Sequence, residues 1–169
     1  MEIGGLEMAE ETKNIIDADL DEVVEVEVEK ERFLTFHSDE LTFAVNTKYV
    51  IEILTNHAIT TLPMVPDYIK GIINMRGQII PIVDIRSRLG KMPVDYGDNN
   101  CIIVLEIDSI SLGILVDSVS QVVDSELSKI SPVPVNKQQE LVNGMISLDA
   151  NNVVLLLDCE QLVNEQMMM

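Results

Sequence analysis

The stretch Ile69–Asp84, IKGIINMRGQIIPIVD, is an aliphatic run broken at one point by an arginine and a glycine. It reads as a β-hairpin: IKGIINM and QIIPIV are two strands joined at Arg76-Gly77, with Gly77 supplying the positive φ that a tight turn requires. Arg76 then sits at the tip. Pro81 cannot donate to a ladder, so the second arm belongs at a sheet edge or carries a bulge there.

Runs of the same kind recur outward from this hairpin. Strand-like segments fall at 33–36, 41–46, 49–54, 69–75, 78–83, 101–107, 110–116, 119–123, 141–148 and 152–158, with turn-rich or polar stretches between them. Of the 169 residues 47% are apolar but only 4% aromatic, so the core must be built from Ile, Val and Leu, whose β-branched members favour pleated strands. Short strands at this spacing imply an all-β protein of barrels or a sandwich.

The segments are two copies of one plan. A shift of 69 positions lays Phe33-Leu34-Thr35-Phe36 on Ile102-Ile103-Val104-Leu105, Phe43-Ala44-Val45 on Leu112-Gly113-Ile114, Val50 on Val119, Ile53-Leu54 on Val122-Val123 and Pro63 on Pro132. A few inserted residues later, Gly71-Ile72-Ile73 matches Gly144-Met145-Ile146, and Ile82-Val83-Asp84 matches Leu156-Leu157-Asp158. Five short strands per copy curl into a small barrel, because closure removes exposed edges. The expected organisation is an acidic tail over residues 1–30, a first barrel over 31–96 and a second over 97–165, with the boundary in KMPVDYGDNN at 91–100. Each barrel would be marginal alone, so the two are expected to bury apolar surface against each other. Asp84 and Asp158 follow the last strand of each copy, precede a short helical run and read as N-caps.

A formal charge of −18 opposes binding to nucleic acid or to an anionic membrane, both of which depend on Lys and Arg. The charge is concentrated: residues 1–31 hold twelve acids and two lysines, too much like charge to fold alone. Within them Val24–Glu29 alternates with period two, as a strand added to a sheet edge would. With no signal peptide and no apolar segment near the roughly 18 residues of a membrane span, the chain is expected to be cytoplasmic.

Chemistry is hard to find. Cys101 and Cys159 lie in apolar runs, where a free thiol behaves as a small buried hydrophobe. His37 and His57 have no metal-site spacing around them, and no nucleophile elbow, phosphate-cradling glycine loop or CxxC pair is present. No catalytic residue, cofactor site or metal site is assigned, and the chain is expected not to be an enzyme. Arg76 is the residue left over. The matching tip of the second copy carries Asp149-Ala150-Asn151-Asn152, so the turn itself does not demand a cation. A guanidinium on a rigid apolar platform offers five donors and suits a docking site.

The string YIKGIINMRGQIIPIVDIRSRLG at 68–90, with VIEIL at 50–54, VDSVSQVV at 116–123 and LVNGMISLDANNVVLLLDCEQLV at 141–163, resembles the signature of CheW-type coupling proteins over about residues 31–165. The resemblance implies two SH3-like five-stranded barrels and a non-catalytic adaptor of bacterial chemotaxis with no cofactor. Such an adaptor links the cytoplasmic tips of methyl-accepting chemoreceptors to the regulatory domain of the histidine kinase CheA, in arrays at the inner face of the membrane, without inserting into it. By this resemblance Asn74, Arg76 and Gly77, with Gly113, Ile114 and Val116 of the second copy, belong to a receptor-facing groove between barrels. Leu34, Thr47, Val50 and Glu52 belong to a first-barrel patch that meets the kinase, Thr47 being more polar than such a contact prefers. A second reading keeps the fold as a regulatory module of another signalling protein, CheV-like or a kinase's own regulatory domain. The acidic tail departs from the compact family pattern.

Overall fold

The computed structural model describes residues 28–97, 99–133 and 141–167. The strands are β1 (Lys30–Ser38), β2 (Leu41–Asn46), β3 (Val50–Thr55), β4 (Ile69–Met75), β5 (Gln78–Asp84), β6 (Cys101–Ile107), β7 (Ile110–Val116), β8 (Ser118–Glu126), β9 (Ile130–Ser131), β10 (Val142–Asp149) and β11 (Asn152–Leu157). Two short helices, α1 (Ile85–Arg88) and α2 (Cys159–Met167), follow β5 and β11. Each expected run is a strand, and only the two-residue β9 is new. Asp84 and Asp158 cap as expected: Asp84 Oδ1 accepts from the Arg86 N–H at 3.0 Å, and Asp158 Oδ1 from the Gln161 N–H at 3.0 Å. Residues 24–27 of the alternating acidic stretch lie outside the described residues; the Glu29 carbonyl accepts from the Leu127 N–H at 3.0 Å.

The strands form two sheets, ordered β8-β1-β2-β11-β10-β9 and β3-β6-β7-β5-β4. The sheets are therefore not the contiguous halves 31–96 and 97–165. Each takes its β1-β2 or β6-β7 pair from one copy and its remaining strands from the other. Replacing every strand by its repeat counterpart, β1 by β6, β2 by β7, β3 by β8, β4 by β10 and β5 by β11, converts one order into the other. The registers agree: the parallel pairs Ile82↔Gly113 and Leu156↔Ala44 join residues that the repeat makes equivalent. The bridge Thr60↔Ile72 and the β9–β10 pair Ser131↔Met145 occupy like places, Ile72 and Met145 being equivalent while Ser131 stands two residues beyond the counterpart of Thr60. The copies are related by a pseudo-twofold exchange of their first two strands.

Burial explains why the two barrels stay together. Strand β6 is buried along its length except at Glu106, and β1, β2 and β7 carry similar unbroken buried stretches. Such strands need cover on both faces. One face of β6, with Ile102 and Val104, joins Ile73, Ile80, Ile82 and Leu115 inside the five-stranded barrel. The other, with Ile103, Leu105 and Ile107, meets Leu34, Phe36, Phe43 and Val45 of the six-stranded barrel in a core shared between them. Phe36 and Phe43 stack there at 5.4 Å between centroids. A third, smaller cluster of Phe33, Ala44, Ile146 and Val154 fills the six-stranded barrel. Barrels held apart would leave the second face of these strands wet, a loss of roughly 1.5–3 kcal/mol per large aliphatic side chain.

Pro81 does not lie on an edge strand, since β5 runs between β7 and β4. The β5–β7 ladder begins only at Ile82, so the missing donor falls where the β7 side of β5 is still unpaired.

Candidate contact site

The β4–β5 turn holds Arg76 at φ 54° and Gly77 at φ 82°, the pair of left-handed residues of a type I′ hairpin. Asn74 Oδ1 accepts from the Gly77 N–H at 3.0 Å and pins the turn. A side chain at φ > 0 costs about 1–2 kcal/mol, so the turn alone would favour another residue than arginine. The Arg76 side chain is 70% exposed, and its Nη1 lies 2.8 Å from Oε1 of Glu52 on β3. Alternation along β3 turns Val50, Glu52 and Leu54 inward and Ile51, Ile53 and Thr55 outward, which aims Glu52 at the hairpin tip. An ion pair this exposed contributes less than about 1 kcal/mol to folding. What it fixes is the direction of the guanidinium.

Apolar side chains lie exposed on the same barrel: Ile79 at 57%, Ile51 at 48% and Ile53 at 41%. The equivalent hairpin in the other barrel keeps an exposed apolar residue, Val153 in place of Ile79, but its turn bonds to itself. Asp149 Oδ1 accepts from the Asn151 N–H at 2.9 Å and Oδ2 from Asn152 Nδ2 at 2.6 Å. These bonds hold the Asp149 carboxyl below the usual carboxylate range. The barrels thus present unlike tips, one cationic and one acidic.

The structure joins Arg76 to Glu52, which the sequence placed on two different patches. It removes others from the surface. Leu34, at 5% exposure, and Ile114 and Val116, both at 0%, face the shared core and not the surface. Gly113 is buried as well, and a Cβ there would meet Ile82 Cδ1 at 2.7 Å and Ile102 Cγ2 at 2.8 Å, so the glycine serves close strand packing. These four follow from the two-sided burial of β1 and β7, which a contiguous-barrel picture misses. Thr47, in a 3₁₀ turn after β2, and Val50 are half-buried at the crossover into β3.

A second polar constellation had no forecast in the sequence. On α1, Arg86 is 13% exposed; its Nε and Nη2 fork onto Asp117 at 3.1 and 2.6 Å, and Nη1 reaches Asp39 at 3.1 Å. The Tyr96 hydroxyl donates to Asp117 Oδ1 and accepts from Arg86 Nε at 3.2 Å. Asp39 lies in the β1–β2 turn and Asp117 at the β7–β8 crossover, so the fork ties both barrels together. Desolvation pushes the Asp117 carboxyl up, but the Arg86 guanidinium and the Tyr96 hydroxyl outweigh it and hold it low. Burial, then the Asp117 carboxylate, raises the Tyr96 phenol. The signal that could have found this network is a reversal of sign at matched positions: Arg86 and Asp117 correspond to Glu160 and Lys48.

Catalytic or metal-binding side chains do not gather. Among the described residues no group of three His, Cys, Asp or Glu could hold a metal ion. Cys101 and Cys159 are free and buried, and burial pushes both thiols up, Cys159 to about 12, so neither is poised as a nucleophile. Among the described residues no helix is long and apolar enough to cross a membrane.

Residues 32–167 match the model of the CheW-like domain. The chain belongs to the CheW-like domain family. It is 32% identical to the chemotaxis protein CheW of Klebsiella aerogenes over 82% of this chain and 84% of that protein. It is 26% identical to the chemotaxis protein CheW of Bacillus subtilis over 80% and 88%. It also matches the chemotaxis protein CheV3 of Helicobacter pylori at 24% identity, over 73% of this chain but only 41% of that one. Among solved structures, the scaffolding protein TtCheW from Thermoanaerobacter tengcongensis superposes with a TM-score of 0.70 at 27% identity, over 76% of this chain and 89% of that one. This CheW-like chain is all-β, built of two SH3-like barrels, and is a chemotaxis adaptor. The family couples chemoreceptors to the kinase CheA through contact, not catalysis.

Proposed function

We propose that this CheW-like chain is a non-catalytic bridge that holds the cytoplasmic tip of a chemoreceptor and the regulatory domain of the histidine kinase CheA at the same time, in arrays on the cytoplasmic face of the membrane. The observation that carries the assignment of sites is the Arg76 tip: a largely exposed guanidinium, aimed by Glu52, on a barrel whose repeat counterpart has an acidic turn. Arg76, Asn74 and Gly77 are the receptor contact. The kinase contact is the β3 side of the same barrel, with Thr47, Val50 and Glu52 joined by the outward Ile51 and Ile53. A charged hydrogen bond shielded on binding contributes about 1.5–3 kcal/mol, or roughly tenfold to a hundredfold in affinity.

The test is pairwise titration of a receptor-tip fragment and a kinase regulatory domain against wild type, Arg76→Ala, Glu52→Gln and the exchanged pair Arg76→Glu with Glu52→Arg. Arg76→Ala should weaken receptor binding about tenfold or more and leave the kinase Kd nearly unchanged. Glu52→Gln, which frees the guanidinium without removing it, should weaken receptor binding less. The exchanged pair keeps the ion pair but points a carboxylate outward, so it should not recover receptor binding. Equal losses toward both partners would reject separate contacts, and an unaltered receptor Kd in Arg76→Ala would return the arginine to the status of a solvated turn residue.

A further inference from the structure

Between α1 and β6 the segment Lys91–Gly97 has no regular structure, and Met92, Pro93, Val94, Asp95 and Gly97 are all exposed. Tyr96 is different. Its ring packs against the interior cluster of the five-stranded barrel, and its hydroxyl is held by Asp117 and Arg86. The segment thereby forms one wall of a cleft of about 450 Å³, whose other wall is Ile59, Lys70 and Leu115. Among the described residues its remaining hydrogen bonds are local or lie at its ends, Gly97 N–H to Asp95 Oδ1 at 2.9 Å, Asn99 N–H to the Tyr96 carbonyl at 3.0 Å and Lys91 N–H to the Arg86 carbonyl at 2.8 Å, and at its start Lys91 Nζ lies 3.8 Å from Asp39 Oδ2. Gly90 at φ 73° and Gly97 at φ 59° flank it, each with open space where a Cβ would stand. Such residues absorb large backbone rotations.

The other barrel has an equivalent cleft of about 330 Å³. Ile130 lies against Gly144 there as Ile59 lies against Gly71, and the repeat places Asn143, Glu31 and Asn46 in the positions of Lys70, Asn100 and Leu115. Asn46 for Leu115 and Glu31 for Asn100 make that cleft wettable, whereas the first needs cover.

We propose that residues 91–97 are a latched strap over the mouth of the five-stranded barrel, with Tyr96 as plug and latch and Arg86 as the positioning residue that holds Asp117 to receive it. Lifting the strap bares Ile59, Leu115 and the barrel interior while both sheets stay intact. Because Asp117 sits on the β7–β8 crossover and Asp39 shares its guanidinium, the latch reports the relation between the barrels to the cleft.

The test uses the full chain and Tyr96→Phe, which deletes one oxygen and keeps the ring. Limited tryptic cleavage after Lys91 follows the population of the lifted strap when reclosing is fast. Losing a hydrogen bond to a charged group should raise that cleavage about tenfold or more. Arg86→Lys, which keeps the charge but not the fork, should raise it as well. Amide exchange should quicken at residues 91–97 and stay at wild-type rates in β6 and β7, and the dye 8-anilinonaphthalene-1-sulfonate should bind the variants more than wild type. Wild-type cleavage and exchange of the segment in Tyr96→Phe would overturn the latch. So would a uniform quickening through the strands, which would mark general loss of stability.

Discussion

Ser38 ends β1 with 0% exposure, and its Oγ has no hydrogen-bond partner among the described residues. Its repeat counterpart, Ile107, lies in the shared core at 1% exposure, so the hydroxyl occupies a slot built for an aliphatic group. An unpaired buried hydroxyl costs about 1–3 kcal/mol. Ser38→Ala removes the oxygen with little loss of volume and should raise the unfolding free energy by about 1 kcal/mol, read as a higher urea midpoint at unchanged slope. A lower midpoint would show that the hydroxyl is bonded. The two arginines are ranked by the same reasoning about burial. Arg76, with 70% of its side chain in water, contributes direction, not stability. Arg86, at 13%, forks onto a carboxylate whose pairing would cost about 3–5 kcal/mol to break from one side.

At the scale of the β4–β5 hairpin, two glycines do unlike work. At Gly71, φ is 149°, and a Cβ would lie 2.1 Å from the Thr60 carbonyl oxygen, a backbone atom that closes the barrel through the Thr60–Ile72 bridge. At Gly77, φ is 82° and nothing stands within 4 Å. Gly77→Ala should therefore cost only about 1–2 kcal/mol of local strain, a fall in Tm of several degrees for a chain of this length. Gly71→Ala should cost more than about 4 kcal/mol, and thermal melts of the two variants decide the order. Similar falls in both would mean that the bridge yields without penalty. Elements such as this hairpin were legible because their signals are local. Aliphatic runs, a Gly in the turn and an Asp before a short helix each act within a few residues. The Arg86 network left no local signal, because its partners Asp39 and Asp117 lie 47 and 31 residues away, and only the reversal of sign against Glu160 and Lys48 of the other copy marks it.

The strand exchange belongs to the whole molecule, and local pattern could not settle it. Alternation reports how many faces of a strand are covered, not which copy supplies the neighbour, so contiguous and exchanged barrels satisfy one hydrophobic pattern equally. A clue was present in the contrast between CIIVL, apolar throughout, and VIEIL, which admits a glutamate: the former must lie between two layers, the latter at the outside of one. The exchange makes a prediction that contiguous barrels contradict. Expressed separately, the pieces 1–97 and 98–169 each hold an incomplete set of strands for either sheet, and a lone β1-β2 or β6-β7 pair has no second layer to cover it. Neither piece should show a cooperative melt as a monomer. Produced together, they should co-purify as a one-to-one complex and unfold in a single transition whose midpoint rises with concentration, as linked association and folding require. A piece that melts cooperatively as a monomer would mean that its own five strands close on themselves, and the shared core would then be an interface between finished barrels instead of the layer that completes them.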